Sequence, residues 1–371
     1  MTKHPSTQRP KYPRRLRAEF SLSIPIWVFG CLGLWVFPVE ASADNWPQWR
    51  GPSGTGIAQE SDLPIVWNEN RSVRWKTPLP AWGTSTPAIW GDAVFVTAHV
   101  ESSDGGDLIA LRLNKSDGQI VWKKNLSRAE PIRRAGKSQR GVQTFHRWHN
   151  LASPSPVTDG KYVVVHFGNG LLAALDFEGK ILWQRNLQAD FGDYTIWWGH
   201  ANSPVLHNGL VISACMQGSL ADRQDTPVKS YVVAHDLRDG HVKWQQPRLT
   251  GADAEQCDAY TTPLLAQIKG RTQMIVMGGN RLDGYDPTSG KLIWHLDNLI
   301  GGRTVTGPTI AGDVVYCTRG MRNDLLAVDL ADNDGPKQGE LNRRDIQWTY
   351  GTGTPDSCSP VLWHDMLFFI S

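Results

Sequence analysis

Two histidines three residues apart, His146 and His149 in HRWH, have a spacing used in metal ligation. A metal site needs at least a third ligand and an element that points the set inward. Neither a third ligand nor a helix accompanies this pair, so no metal is expected. The run GPSGTG (Gly51–Gly56) is glycine-rich but lacks the Lys-Ser/Thr that completes a phosphate loop, and reads as a plain loop. No G-x-S-x-G elbow and no H-E-x-x-H occur, so no catalytic residue is assigned.

Arginine and aromatic residues gather instead. Arg140, His146, Arg147, Trp148 and His149 fall in one long polar stretch, and Tyr194, Trp197, Trp198 and His200 in a second. Tyr260 and Arg303 lie in shorter ones. Arg beside Trp and Tyr is the composition of binding hot spots. It suits a protein segment or a small anionic or sugar-like ligand. The plain alternative is that the aromatics plug an interior and the basic residues are solvated.

The elements that carry these stretches are read from a repeat. Ala173–Trp183 (AALDFEGKILW), Ala234–Trp244 (AHDLRDGHVKW) and Gly284–Trp294 (GYDPTSGKLIW) share one pattern, a small residue, Asp, Gly and Trp in order. Ala110–Trp122 and Ala327–Trp348 are looser copies, and successive motif tryptophans are 61, 61, 50 and 54 residues apart. Periods of this length belong to propellers or solenoids. Upstream of each motif, a Pro leads into a short apolar strand, a turn and a second strand, as in SPSPVTDGKYVVV (Ser153–Val165). Four strands per unit, with Val/Ile/Leu runs bounded by DG, NG and SG turns, fit a β-propeller blade. The glycine supplies the left-handed turn conformation, the Asp bonds turn N–H groups, and Trp122, Trp183, Trp244, Trp294 and Trp348 bury large faces at seams between blades. The long stretches above then join the fourth strand of one blade to the first of the next, and all such loops fall on one face. Arg74-Trp75-Lys76 reads as a lone fourth strand, and CSPVLWHDMLFFIS (Cys358–Ser371) as the start of a sixth unit.

At the N-terminus, six basic residues precede an apolar run, Phe20–Val39, and then Ala41-Ser42-Ala43. That order reads as a secretory signal with cleavage after Ala43. An anchor through the retained signal or a lipidated Cys31 would be the only membrane contact. Residues 1–43 hold six basic and two acidic residues, so the +2 of the whole chain becomes −2 without them. No basic footprint for nucleic acid remains. Export to the periplasm or cell envelope permits disulfides. Cys215 and Cys257, and Cys317 and Cys358, are spaced alike. They form either two staples between neighbouring units or four buried thiols.

The Ala/Asp/Gly/Trp pattern resembles the tryptophan-docking motif of the PQQ-like (pyrrolo-quinoline quinone) β-propeller repeat family, and Asn45–Gly56 (NWPQWRGPSGTG) resembles the start of its secreted members, proteins described as similar to BamB of outer-membrane assembly. The resemblance covers about Asn45 to Ser371. It implies an all-β propeller of the quinoprotein dehydrogenase-like class: a signal peptide at 1–43, an extended segment at 44–72 and a propeller at 73–371. With five complete repeats and partial ones, the chain reads as a fragment of a seven- or eight-bladed ring, a closed six-bladed ring being the alternative. Functionally, the resemblance implies a non-catalytic binding scaffold of the envelope without a cofactor. The alternative is a PQQ-dependent dehydrogenase. That class, as the resemblance implies it, uses an adjacent Cys-Cys pair and Ca²⁺ ligands, and no adjacent cysteines occur here.

Overall fold

Apolar runs between left-handed turns form 23 strands among the described residues of a computed structural model, which are 45–60, 63–132, 145–221, 229–330 and 339–371. The proposed signal at 1–43, Cys31 and Arg140 lie outside them. The first antiparallel sheet comprises β1 (Ala88–Trp90), β2 (Ala93–Ser102), β3 (Gly105–Asn114) and β4 (Ile120–Arg128). The second is β5 (Val157–Thr158), β6 (Tyr162–His166), β7 (Leu171–Asp176) and β8 (Ile181–Asn186), followed by a short helix α1 (Leu187–Phe191). The third is β9 (Val205–His207), β10 (Leu210–Cys215), β11 (Tyr231–Asp236) and β12 (Val242–Pro247). The fourth contains β13 (Leu264–Ile268), β14 (Arg271–Gly278), β15 (Arg281–Tyr285) and β16 (Leu292–Leu296). The fifth is β17 (Thr309–Ala311), β18 (Val314–Thr318), β19 (Leu325–Asp329) and β21 (Ile346–Tyr350). Between β19 and β21, the short β20 (Gly339–Leu341) adds a parallel edge to the fourth sheet. β22 (Val361–Trp363) and β23 (Met366–Phe368) form a two-stranded sixth sheet. The five repeats and the partial sixth read from the sequence are these sheets.

Within a blade the middle strands are buried throughout, as in β10 and β11, while β12 alternates between exposed and half-buried residues. A strand covered on both sides must be apolar at every position, and one covered on a single side only at alternate ones. The repeat motif follows from the turn between the third and fourth strands. All five third strands shift register just before the turn, as at Ala234/His235 and Ala174/Leu175. The small residue there faces the motif tryptophan across the ladder, Ala234 opposite Trp244 and Ala174 opposite Trp183. The aspartate then ties the turn. Asp286 Oδ1 accepts from Thr288 N at 2.8 Å and Ser289 N at 3.0 Å, and Asp236 Oδ1 from Arg238 N at 2.9 Å.

The tryptophan serves the next blade. Trp122 Nε1 donates to Phe177 O and Trp183 Nε1 to Leu237 O, each at 2.8 Å, and each indole covers the turn glycine of the following unit, Gly179 and Gly240. Trp244 covers Gly290 in the same way. Trp75, from the expected lone outer strand, forms no strand of its own but covers Gly118 and donates to Lys115 O at 2.8 Å. Trp294 departs from the pattern and donates to Gln273 Oε1 at 2.7 Å within its own sheet. Trp348 remains 40% exposed. A Cβ at Gly240 (φ +71°) would lie 2.7 Å from the Trp183 ring. Gly240→Ala is therefore expected to cost about 1–3 kcal/mol, through left-handed strain and a displaced indole, as a lowered urea midpoint. An unchanged midpoint would defeat the docking account.

Residues 45–57 pass the first strands of the blades. Trp46 bridges to Ile89, Asn45 Oδ1 accepts from Gly91 N at 2.8 Å, and Pro47 O accepts from Thr158 N at 2.9 Å. Arg50 donates to Pro308 O at 3.3 Å and to Pro360 O, and Gly54 packs on Leu264. One segment thus contacts first-strand regions of the first, second, fourth, fifth and sixth sheets. Gly51–Gly56 is a loop, as read, but one with this specific task.

All four cysteines of the described residues are free thiols, which corrects the two staples. Cys215 points into the core formed with Tyr194, Val211 and Tyr231, whereas the half-buried Cys257 directs its Sγ to Ala252 O at 3.0 Å. Cys317 is buried with Val315, Leu326 and Val328, while Cys358 is exposed. Burial pushes the Cys317 thiol up to about 12 and Cys257 to about 11, so both are protonated and inert near neutrality.

Candidate binding face

The loops that leave the fourth strands converge on a cleft of about 360 Å³. His146, Trp148, His149 and Ser153 enter from the β4–β5 connection, and Trp198, Gly199 and Ala201 from β8–β9. Tyr260 enters from β12–β13, Arg303 and Val305 from β16–β17, and Asp356 and Ser357 from β21–β22. Six of the residues singled out from the sequence therefore line one cavity, although they span more than 150 positions.

Ring contacts join the loops. The His146 imidazole stacks on Trp198 with centroids 3.9 Å apart and meets the edge of Trp197 at 5.8 Å. The Arg303 guanidinium lies 4.9 Å over Trp198 and donates to Glu255 Oε1 at 2.8 Å. Arg147 lies 5.1 Å over Trp148, which is 70% exposed and forms the most open aromatic of the face. Leu249 and Ile300, also on these connections, are 70% and 59% exposed. Single aliphatic residues in polar loops carry no pattern, so the sequence reading missed both.

Tyr194 and His200, expected on this face, are buried beneath it. The chain is turned inward by bonds to distant side chains. Asn186 caps α1, Gln188 Oε1 accepts from Tyr194 N at 2.8 Å, and Gln217 Oε1 accepts from Thr195 N at 2.8 Å. His200 stacks on Tyr194 at 4.8 Å and meets His166 at 4.7 Å. Burial, with His149 nearby, pulls His200 down to about 3, and burial beside His200 holds His166 well below its ordinary value. His149 is buried as well, stacked on Phe145 at 4.9 Å and in contact with Gly168 and Gly199. Asp258 braces the loops from below. Its Oδ1 accepts from Gly218 N at 2.8 Å and Ser219 N at 3.2 Å, and Ser219 Oγ accepts from Trp197 N at 2.9 Å. Burial raises its carboxyl to about 7 against these bonds. Among the described residues no group of three or more His, Cys, Asp or Glu could hold a metal ion.

The family model described as outer membrane protein assembly factor BamB matches residues 55–226 and 112–370. The chain belongs to the BamB family. The BamB of Moranella endobia (strain PCIT) is 27% identical over 272 residues, covering 72% of this chain and 55% of that protein. The chain spans about half the length of this curated relative. Among solved structures, quinohemoprotein alcohol dehydrogenase ADHIIG of Pseudomonas putida HK5 superposes with a TM-score of 0.52 at 13% identity, covering 84% of this chain and 48% of that one. The quinohemoprotein alcohol dehydrogenase of Comamonas testosteroni gives 0.51 at 13% identity, covering 78% and 48%. These likenesses show the propeller fold alone.

His146 and Arg303 already cover the Trp198 indole, and no two cysteines are adjacent in sequence.

Proposed function

We propose that this chain is an exported, non-catalytic propeller of the cell envelope that binds a polypeptide partner through its loop face, in a role of the outer-membrane assembly type. The observation that carries this reading is the convergence of five connections on one cleft, with Trp148 open at its rim and Arg303 within it. An exposed Trp beside Arg on loops held by a rigid sheet scaffold is where binding energy concentrates. Family membership and the basic–apolar–A-x-A order at residues 1–43 support the envelope setting.

The test is site-specific photocrosslinking in envelope preparations, with the probe at position 148 and, as a control, at Val242 on the exposed side of β12. A discrete adduct at 148 and none at 242 is the expected result. Arg303→Ala should weaken capture roughly 30-fold, the effect of losing an anchor of about 2 kcal/mol. Equal labelling at both positions would end the loop-face reading. For the dehydrogenase alternative, PQQ with Ca²⁺ is expected to give neither saturable quinone binding nor dye reduction.

A further inference from the structure

We infer that His146 is a proton-sensitive latch on the loop face, presenting Trp148 when neutral and releasing it when protonated. This deepens the binding role proposed above and rests on it. The geometry defines which form the turn needs. His149 N donates to His146 O at 2.8 Å and closes the turn, and Trp148 N donates to His146 Nδ1 at 3.3 Å. An imidazole nitrogen that accepts a hydrogen bond carries a lone pair, so the neutral ring has its proton on Nε2. Protonation turns Nδ1 into a donor facing another donor. The turn then loses the side-chain bond that fixes the backbone of Trp148.

The charges around the ring oppose its protonation. Burial foremost, then Arg147 on its own turn and Arg303 from the β16–β17 connection, lower its pKa. Glu255 is held by Arg303, and Asp356 across the cleft by Arg322 at 3.3 Å. Stacking on Trp198 favours a cation, but that indole already carries the Arg303 guanidinium. The latch therefore opens below pH 6.5, on the acid side of the free imidazole.

The test follows the Trp148 amide and indole resonances of the exported chain by ¹⁵N NMR from pH 7.5 to 5, with near-UV circular dichroism reporting that the fold persists. In the wild type both resonances are expected to titrate together with the His146 Cε1–H signal, with a midpoint below 6.5. His146→Asn keeps an acceptor at the same side-chain position and has no proton to gain, so its Trp148 resonances are expected to stay flat. Trp148 signals that do not titrate in the wild type, or that titrate equally in His146→Asn, overturn the latch. A His146 midpoint above 6.5 in the wild type does so without any variant. None of these readouts needs a partner, so they fail separately from the crosslinking test.

Discussion

Lowering the pH from 7 to 5 is expected to cost this protein about 3 kcal/mol of folding stability. His166, His200 and His235 carry the effect. Burial holds His200 at about 3, His235 at about 4 and His166 well below its ordinary value. The unfolded chain takes up protons at these positions as the pH falls through 6.5, while the native state refuses them down to its own lower pKa values. Stability therefore drains away across that window, by about 1.4 kcal/mol per histidine per pH unit. Asp258 acts in the opposite sense. Its folded pKa of about 7 lies above that of a free carboxyl, so its burial penalty is largest at neutral pH and relaxes as the pH falls towards 4. It returns about 2 kcal/mol at pH 5, and the three histidines outweigh it. Urea unfolding at pH 7, 6 and 5 measures the slope, and His200→Phe should flatten it by one proton. A midpoint that does not move between pH 7 and 5 would show that the buried imidazoles have water or partners enough to charge in place.

Asp283→Ala is expected to cost about 3–5 kcal/mol, the loss that follows when one partner of a buried ion pair is removed. Asp283 is fully buried on β15 between two arginines. Arg248, with a side chain 0% exposed, places Nε 2.6 Å from its Oδ2, and Arg281 places Nε 2.6 Å from its Oδ1. Tyr285 donates to Oδ2 at 3.1 Å. The rest of the Arg248 guanidinium is satisfied by Gly278 O at 2.6 Å and Arg281 O at 2.8 Å. Truncating the carboxylate strands Arg248 without a counter-ion at the seam between the third and fourth sheets. The pair itself is not the source of the stability, because two desolvated charges recover little more than their hydration. The double variant Arg248→Met/Asp283→Leu should therefore regain most of the loss. Urea midpoints of both variants decide the matter, and a double variant no better than Asp283→Ala would show that the guanidinium bonds to the two carbonyls matter more than the charge balance.

The blades were legible because their determinants are local. Small residue, Asp, Gly and Trp lie within 11 residues of one another in the tight copies, and each has a steric or hydrogen-bonding reason that needs no knowledge of the rest of the chain. The seam bonds from Trp122 and Trp183 are the long-range product of that local rule. The loop face was legible in composition but not in depth. Tyr194 and His200 look like His146 and Trp197 in sequence, and the amide oxygens of Gln188 and Gln217 that hold the backbone at Tyr194 and Thr195 come from elsewhere in the chain. The cysteines misled for a related reason. Similar spacing along the chain says nothing about which side of a strand a thiol occupies, and Cys215 belongs to a strand buried on both sides. Arg248 with Asp283 left no trace either, since an Arg just past one strand and an Asp within another show their pairing only when their neighbours are known.

The N-terminal pin has a consequence for how the molecule is made. Arg50 finds its carbonyl acceptor on Pro360, 310 residues later. At ribosomal rates of 5–20 residues per second, roughly 15–60 s pass between the emergence of the two. Arg50 is thus among the first residues of the described fold to leave the ribosome and among the last to meet all its partners. A nascent chain with two or three finished blades still lacks the Pro308 and Pro360 carbonyls that Arg50 binds. Non-local closure of this kind slows folding and prolongs exposure to aggregation. If the chain is exported as proposed, staying extended until it has crossed the membrane avoids that interval, because the segment and all its acceptors are then released into the same compartment together.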